Sequence, residues 1–106
     1  MISLTVVIIT FNEERNILNC LQSVEGIADE IIVLDSFSKD RTKEICLREK
    51  VKFYERVFTG FNDQKNYALS LASSPYILSL DADEVLSPEL KKSIVAVKEN
   101  WVSDGY

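Results

Sequence analysis

The sequence predicts an α/β fold with a parallel sheet, and three observations carry that prediction. Apolar, β-branched runs alternate with helical patterns four times along the 106 residues. The helical stretches are about ten residues long, enough to cross over a sheet and bring the next strand in parallel. Three of the four runs lead into polar or acidic residues, where sheets of this kind bind ligands.

Ser3 to Ile9 is an apolar run of the buried-strand type. Thr10 and Glu13 follow at capping-box spacing. A helix is expected from there to about Val24, with Ile17, Leu21 and Val24 forming one apolar stripe. Gly26 closes it. Glu30 to Leu34 reads as the second strand and runs straight into Asp35. Ser38 is expected to cap a helix from Lys39 to Glu49, with Asp40 in its first turn, where the dipole favours a negative charge. Val51 to Glu55 is a shorter third strand. Past Gly60, Asn62 is expected to cap a helix from Asp63 to Ala72, which Pro75 cannot continue. Tyr76 to Leu80 is the fourth strand and ends at Asp81. Ser87-Pro88-Glu89 supplies a cap, a proline and a first-turn acid for a last helix to about Glu99. Right-handed crossovers and a strand order of 3-2-1-4 would set the first and last strands side by side at the reversal.

Composition narrows the function classes. At 46% hydrophobic and 27% charged, the chain can build a core and a soluble surface. A net charge of −5, with scattered cations, argues against nucleic acid as a partner. With no histidine there is no Ser-His-Asp or Cys-His arrangement, and with three glycines there is neither a GxxxxGK nor a GxGxxG loop. Cys20 and Cys46 fall in helical patterns and read as buried core thiols of a reducing compartment. No run reaches the ~18 apolar residues of a membrane span. The first ten residues lack a signal peptide's basic start and cleavage site. The expected location is cytoplasmic.

The chemistry concentrates at the strand ends. If the chain stays extended past the fourth strand, Asp81 and Asp83 point the same way about 6.5 Å apart. Carboxylates so placed repel each other unless a cation joins them, and oxygen-only ligands favour Mg²⁺ or Mn²⁺ together with phosphate. Ala82 between them is small enough for a ligand to approach the backbone. The same spacing also suits a solvated acidic turn. Asp35 could accept a hydrogen bond from an imide N–H or from sugar hydroxyls, or could simply end its strand. Lys65, near a helix start, could reach a phosphate or stand in solvent. Phe58 and Phe61 read as core or staple residues, Tyr67 and Tyr76 as core or rim.

Val6 to Glu13 (VVIITFNE), Ile32 to Thr42 (IVLDSFSKDRT) and Leu80 to Glu84 (LDADE) resemble, in that order and spacing, the inverting family 2 glycosyltransferases of GT-A fold. Gly60 to Leu69 (GFNDQKNYAL) resembles a narrower branch, the bacterial transferases that add glucose to the lipopolysaccharide inner core. The resemblance implies a Rossmann-like sheet and transfer from a UDP-sugar to a saccharide or lipid-linked acceptor in lipopolysaccharide or other surface polysaccharide synthesis. It leaves room for a peripheral position at the inner face of the cytoplasmic membrane. Thr10, Phe11, Asn12 and Glu13 would contact the uridine and Asp35 the uracil. Lys65, with Asn66, would lie near the nucleotide or diphosphate, and Asp81 and Ala82 beside the ribose and phosphates. Asp83 would ligate Mn²⁺ or Mg²⁺, which neutralises charge on the departing UDP.

Two departures stand out. Many relatives carry two acids after the second strand, whereas Ser36 follows Asp35 here. The family's acceptor site and catalytic base come from a later segment, so no residue is assigned as base. Residues 1–106 are read as a fragment, the nucleotide-sugar-binding half, that alone is not expected to transfer sugar. The alternative is a receiver-like signalling domain with an acidic Mg²⁺ pocket. That reading requires a phosphorylatable Asp at the end of the third strand, where Glu55-Arg56 stand.

Overall fold

The computed structural model describes residues 3–83, 89 and 92–94. Seven elements follow in order: β1 (Leu4–Thr10), α1 (Ile17–Val24), β2 (Glu30–Asp35), α2 (Thr42–Arg48), β3 (Lys52–Glu55), α3 (Phe61–Ser70) and β4 (Tyr76–Asp81). The four strands form one parallel sheet, as the alternating pattern predicted, in the order β3-β2-β1-β4 expected at the reversal. Of the expected last helix, residues 89 and 92–94 are helical, and the Ser87-Pro88 start lies outside the described residues.

The strand period of two sorts side chains to opposite faces. Val6, Ile8 and Val33 join one apolar layer with Ile17, Cys20, Leu21 and Val24 of α1 and Cys46 of α2. Val7, Ile32 and Leu34 join the other with Ala68 of α3. With α1 and α2 on one face, right-handed crossovers step outward from β1 to β3. The chain then returns under α3, on the opposite face, to place β4 against the free side of β1. That return creates the reversal. Each of the wholly buried Val, Ile and Leu side chains of β1 and β2 contributes about 1.5–3 kcal/mol. Both cysteines are buried and free, and burial pushes the Cys46 thiol up to about 12.

The three predicted helix caps that fall among the described residues all differ from the structure. α1 begins at Ile17, α2 at Thr42 and α3 at Phe61, and none has a side-chain cap hydrogen bond. The Thr10 and Ser38 hydroxyls, expected to cap helices, both donate to Asp35 instead. Asn62 lies inside α3, whose cap is Gly60 at φ 127. That backbone value suits a residue without Cβ.

At the amino ends of the strands Glu30 ties four segments. It accepts hydrogen bonds from the Thr5 hydroxyl at 2.8 Å, the Ser73 N–H at 3.1 Å and the Ser73 hydroxyl at 3.0 Å, and it pairs with Lys52. Chiefly because of the Lys52 hydrogen bond, its carboxyl is lowered from 4.5 to about 2. A carboxyl lowered on folding stabilises the native state fully above its unfolded value and loses that contribution as pH falls towards the folded one. Thermal melts between pH 4.5 and 2 should therefore show a steep loss of stability that Glu30→Gln flattens. Parallel acid limbs for the two proteins would refute this.

Candidate functional site

The carboxyl ends of the adjacent strands β1 and β4 meet at one cleft of about 260 Å³. Parallel register sets Ile9 beside Asp81 and Thr10 beside Asp35, so β1 stands between both acidic strand ends. Thr10, Phe11 and Glu13 line the cleft from β1, and Asp81, Ala82 and Asp83 line it from β4. Six of the ten residues marked in the sequence thus meet in one place. A larger hollow of about 390 Å³ lies at the strands' amino ends, between Leu21 of α1 and Val51, away from these motifs.

The Asp81–Asp83 segment does not stay extended. Asp81 is the last residue of β4, and the chain turns at residues 82–83. The Cys20 thiol donates to the Asp81 carbonyl at 3.7 Å, and Ala82 is packed into the core beside α1. A small residue at position 82 thus serves the packing beneath the turn. The motif's backbone is held from below, while both aspartates remain exposed. Among the described residues no group of three or more ligating side chains assembles. This cleft can therefore offer an ion two carboxylates at most from those residues. That donor set fits Mg²⁺ or Mn²⁺, which complete their shell with water and phosphate oxygens.

Asp35, Asn12, Lys65 and Asn66 do not line the cleft. Asp35 is wholly buried, and its carboxylate accepts the Thr10 hydroxyl at 2.6 Å, the Ser38 N–H at 2.6 Å and the Ser38 hydroxyl. As placed, it anchors the loop that follows β2. Asn12, at φ 53, accepts the Lys39 N–H on its side-chain oxygen at 2.8 Å. Lys65 is half-buried on α3.

The sequence reading missed four lining residues: Ile9, Ser36, Phe58 and Phe61. Phe58 and Phe61 are not core residues, being 53% and 54% exposed. They follow β3, an edge strand with no buried residue in the structure, and no described layer covers them. Their only sequence signal was position, around a glycine after a strand end. Gln64, fully buried in α3, donates to the Ser36 hydroxyl at 3.0 Å and to the Arg56 carbonyl at 3.3 Å, and accepts from the Arg56 guanidinium at 3.1 Å. Arg56 lies 4.6 Å from the centroid of the half-exposed Tyr67 ring. A buried amide so used bolts α3 to the loops after β2 and β3.

β3 ends in Glu55, which pairs with Lys43 at 3.0 Å, so the aspartate a receiver-like domain would phosphorylate is absent from that strand end.

The family model for Glycosyl transferase family 2 matches residues 5–103 of this chain. An uncharacterized glycosyltransferase of Rickettsia felis is 39% identical over 93% of this chain and 35% of its own length. The lipopolysaccharide core biosynthesis glycosyltransferase LpsC of Rhizobium meliloti is 33% identical over 84% of this chain and 34% of its own. In three dimensions the chain is similar to glucosyl-3-phosphoglycerate synthase from Mycobacterium tuberculosis, solved with Mn²⁺, UDP and phosphoglyceric acid. The TM-score is 0.68 at 26% identity, covering 78% of this chain and 34% of that one. The chain spans about a third of the length of these proteins.

Proposed function

The chain belongs to glycosyl transferase family 2, and from that premise we propose that its strand-end cleft holds the UDP group of a sugar donor. The observation that carries this is the meeting of the Thr10–Glu13 loop and the Asp81–Asp83 turn across one cleft on adjacent strands. Thr10, Phe11 and Glu13 face the uridine, and Phe11, 54% exposed, offers an aromatic face to the base. Asp81, Ala82 and Asp83 lie on the diphosphate side. Asp83, with Asp81, would hold Mn²⁺ or Mg²⁺, which supplies Lewis acidity and offsets charge on the departing UDP. Asp35 reaches the uracil only by giving up a Ser38 donor, and otherwise supports the pocket from behind. Lys65 reaches a phosphate only by extending from α3.

We assign the whole protein an inverting transfer from a UDP-sugar to a saccharide or lipid-linked acceptor in lipopolysaccharide or other surface polysaccharide synthesis. The GFNDQKNYAL stretch and the similarity to LpsC support that pathway. A cytoplasmic site, peripheral at the inner membrane face, fits such a donor and acceptor. Among the described residues no helix is long and apolar enough to cross a membrane.

Calorimetric titration of UDP into the full-length protein tests the reading. Binding should require Mn²⁺ and weaken at least about tenfold without it, the loss of roughly 1.4 kcal/mol of ionic contact. Absent binding, or equal binding without metal, would overturn it.

A further inference from the structure

The loops after β1 and β2 are joined by a set of hydrogen bonds that neither helix needs. Three successive N–H groups of the first loop are each taken by a side chain of the second. Asn12 N–H donates to the Ser38 hydroxyl at 2.7 Å, Glu13 N–H to the Thr42 hydroxyl at 2.8 Å, and Glu14 N–H to the Asp40 carboxylate at 3.1 Å. The reverse direction is used too, since Lys39 N–H donates to the Asn12 side chain. The accepting groups are themselves fixed. The Ser38 hydroxyl donates to Asp35, and the Thr42 hydroxyl donates to Asp40 at 2.6 Å. Burial raises the Asp40 carboxyl, but the Thr42 and Glu14 donors outweigh it and hold it below its ordinary range.

The clasp holds backbone that would not hold itself. Asn12 at φ 53 and Phe37 at φ 59 lie in the left-handed region, which costs a residue with a Cβ. Phe11, one residue before the clasp, projects into the cleft.

We propose that Ser38, Asp40 and Thr42 are positioning residues for nucleotide binding: they fix the Phe11–Glu14 loop so that Phe11 and Glu13 face the cleft before any ligand arrives. The proposal rests on the reading of the cleft as a UDP site. A loop ordered beforehand spares the ligand the ordering entropy, so loosening it lowers affinity without removing any contact to the ligand.

The test uses the full-length protein, calorimetry with UDP and Mn²⁺, and a thermal melt of each variant. Thr42→Val keeps the shape and deletes the hydroxyl, orphaning the Glu13 N–H. Asp40→Asn puts a donor amide in place of one of the two oxygens that Glu14 and Thr42 use, and Ser38→Ala deletes the acceptor of the Asn12 N–H, both at less buried positions. Each is expected to weaken UDP binding roughly tenfold, since an orphaned donor commonly costs that much in an equilibrium. Thr42→Ser, which retains the hydroxyl, should bind within about twofold of wild type. Val24→Ala, buried in α1, serves as a control for stability alone. It should lower the melting temperature and leave UDP affinity unchanged. Equal affinity for wild type, Asp40→Asn and Ser38→Ala would overturn the proposal while leaving the UDP site intact. A loss that only tracks melting temperature, Val24→Ala included, would overturn it too. A wild-type protein that binds no UDP would remove the site itself, and the proposal with it.

Discussion

Asp35→Ala is expected to lower the stability of the chain by about 3 kcal/mol or more, because it orphans three donors around one buried position. The Thr10 hydroxyl, the Ser38 N–H and the Ser38 hydroxyl all end on this carboxylate, and the residue has no exposed surface. An unmet buried donor costs roughly 1–3 kcal/mol, and the cavity left by the carboxylate adds to that. In a protein of the length of these relatives each kcal/mol moves the midpoint by about 2–4 °C, so a fall on the order of 6 °C or more is expected by calorimetry. Asp35→Asn keeps the shape and one acceptor oxygen, and should fall between wild type and alanine. A melting temperature for Asp35→Ala within a few degrees of wild type would show that the carboxylate is not the anchor described.

Asp83→Ala should have the opposite profile, with little change in stability and a large change in function. The side chain is exposed at a turn, so its loss leaves the fold nearly untouched. The UDP reading makes it a metal ligand, and charge stabilisation of a leaving diphosphate by such an ion is worth several kcal/mol. Transfer by the full-length protein should fall on the order of a hundredfold or more at fixed Mn²⁺, each tenfold being about 1.4 kcal/mol. Part of the loss should be regained at higher Mn²⁺, because Asp81 still lines the cleft. An unchanged rate would remove Asp83 from the site.

The contrast between these aspartates explains how much was legible in the sequence. β1 and β2 were legible as β-branched runs buried on both faces, and the order β3-β2-β1-β4 is the one that sets β1 beside β4 at the reversal. The Asp81–Asp83 motif was legible because it stands at the end of such a run. What failed was local reasoning about caps. Thr10 and Ser38 carry ideal capping chemistry, but a partner 25 residues away from Thr10 in the chain, Asp35, takes both hydroxyls. A capping box scores only neighbours in sequence, and the parallel register sets Thr10 beside Asp35. The alternating Ser38, Asp40 and Thr42 could be read as a motif but not as a clasp, because their acceptors serve N–H groups of another loop. The burial of Gln64 and the exposure of Phe58 and Phe61 reverse what side-chain polarity suggests. Only the return path of α3 decides them.

The central place of β1 also orders events in time. Its pairing with β2 closes a short loop, whereas its pairing with β4 joins Leu4 to Tyr76 across more than twice that length of chain. Longer loops are slower to close. The wall formed by the Thr10–Glu13 loop and its clasp can therefore assemble early, from the amino-terminal half alone. The two carboxylates arrive only when β4 docks, so on the UDP reading the diphosphate side of the cleft forms after the uridine side.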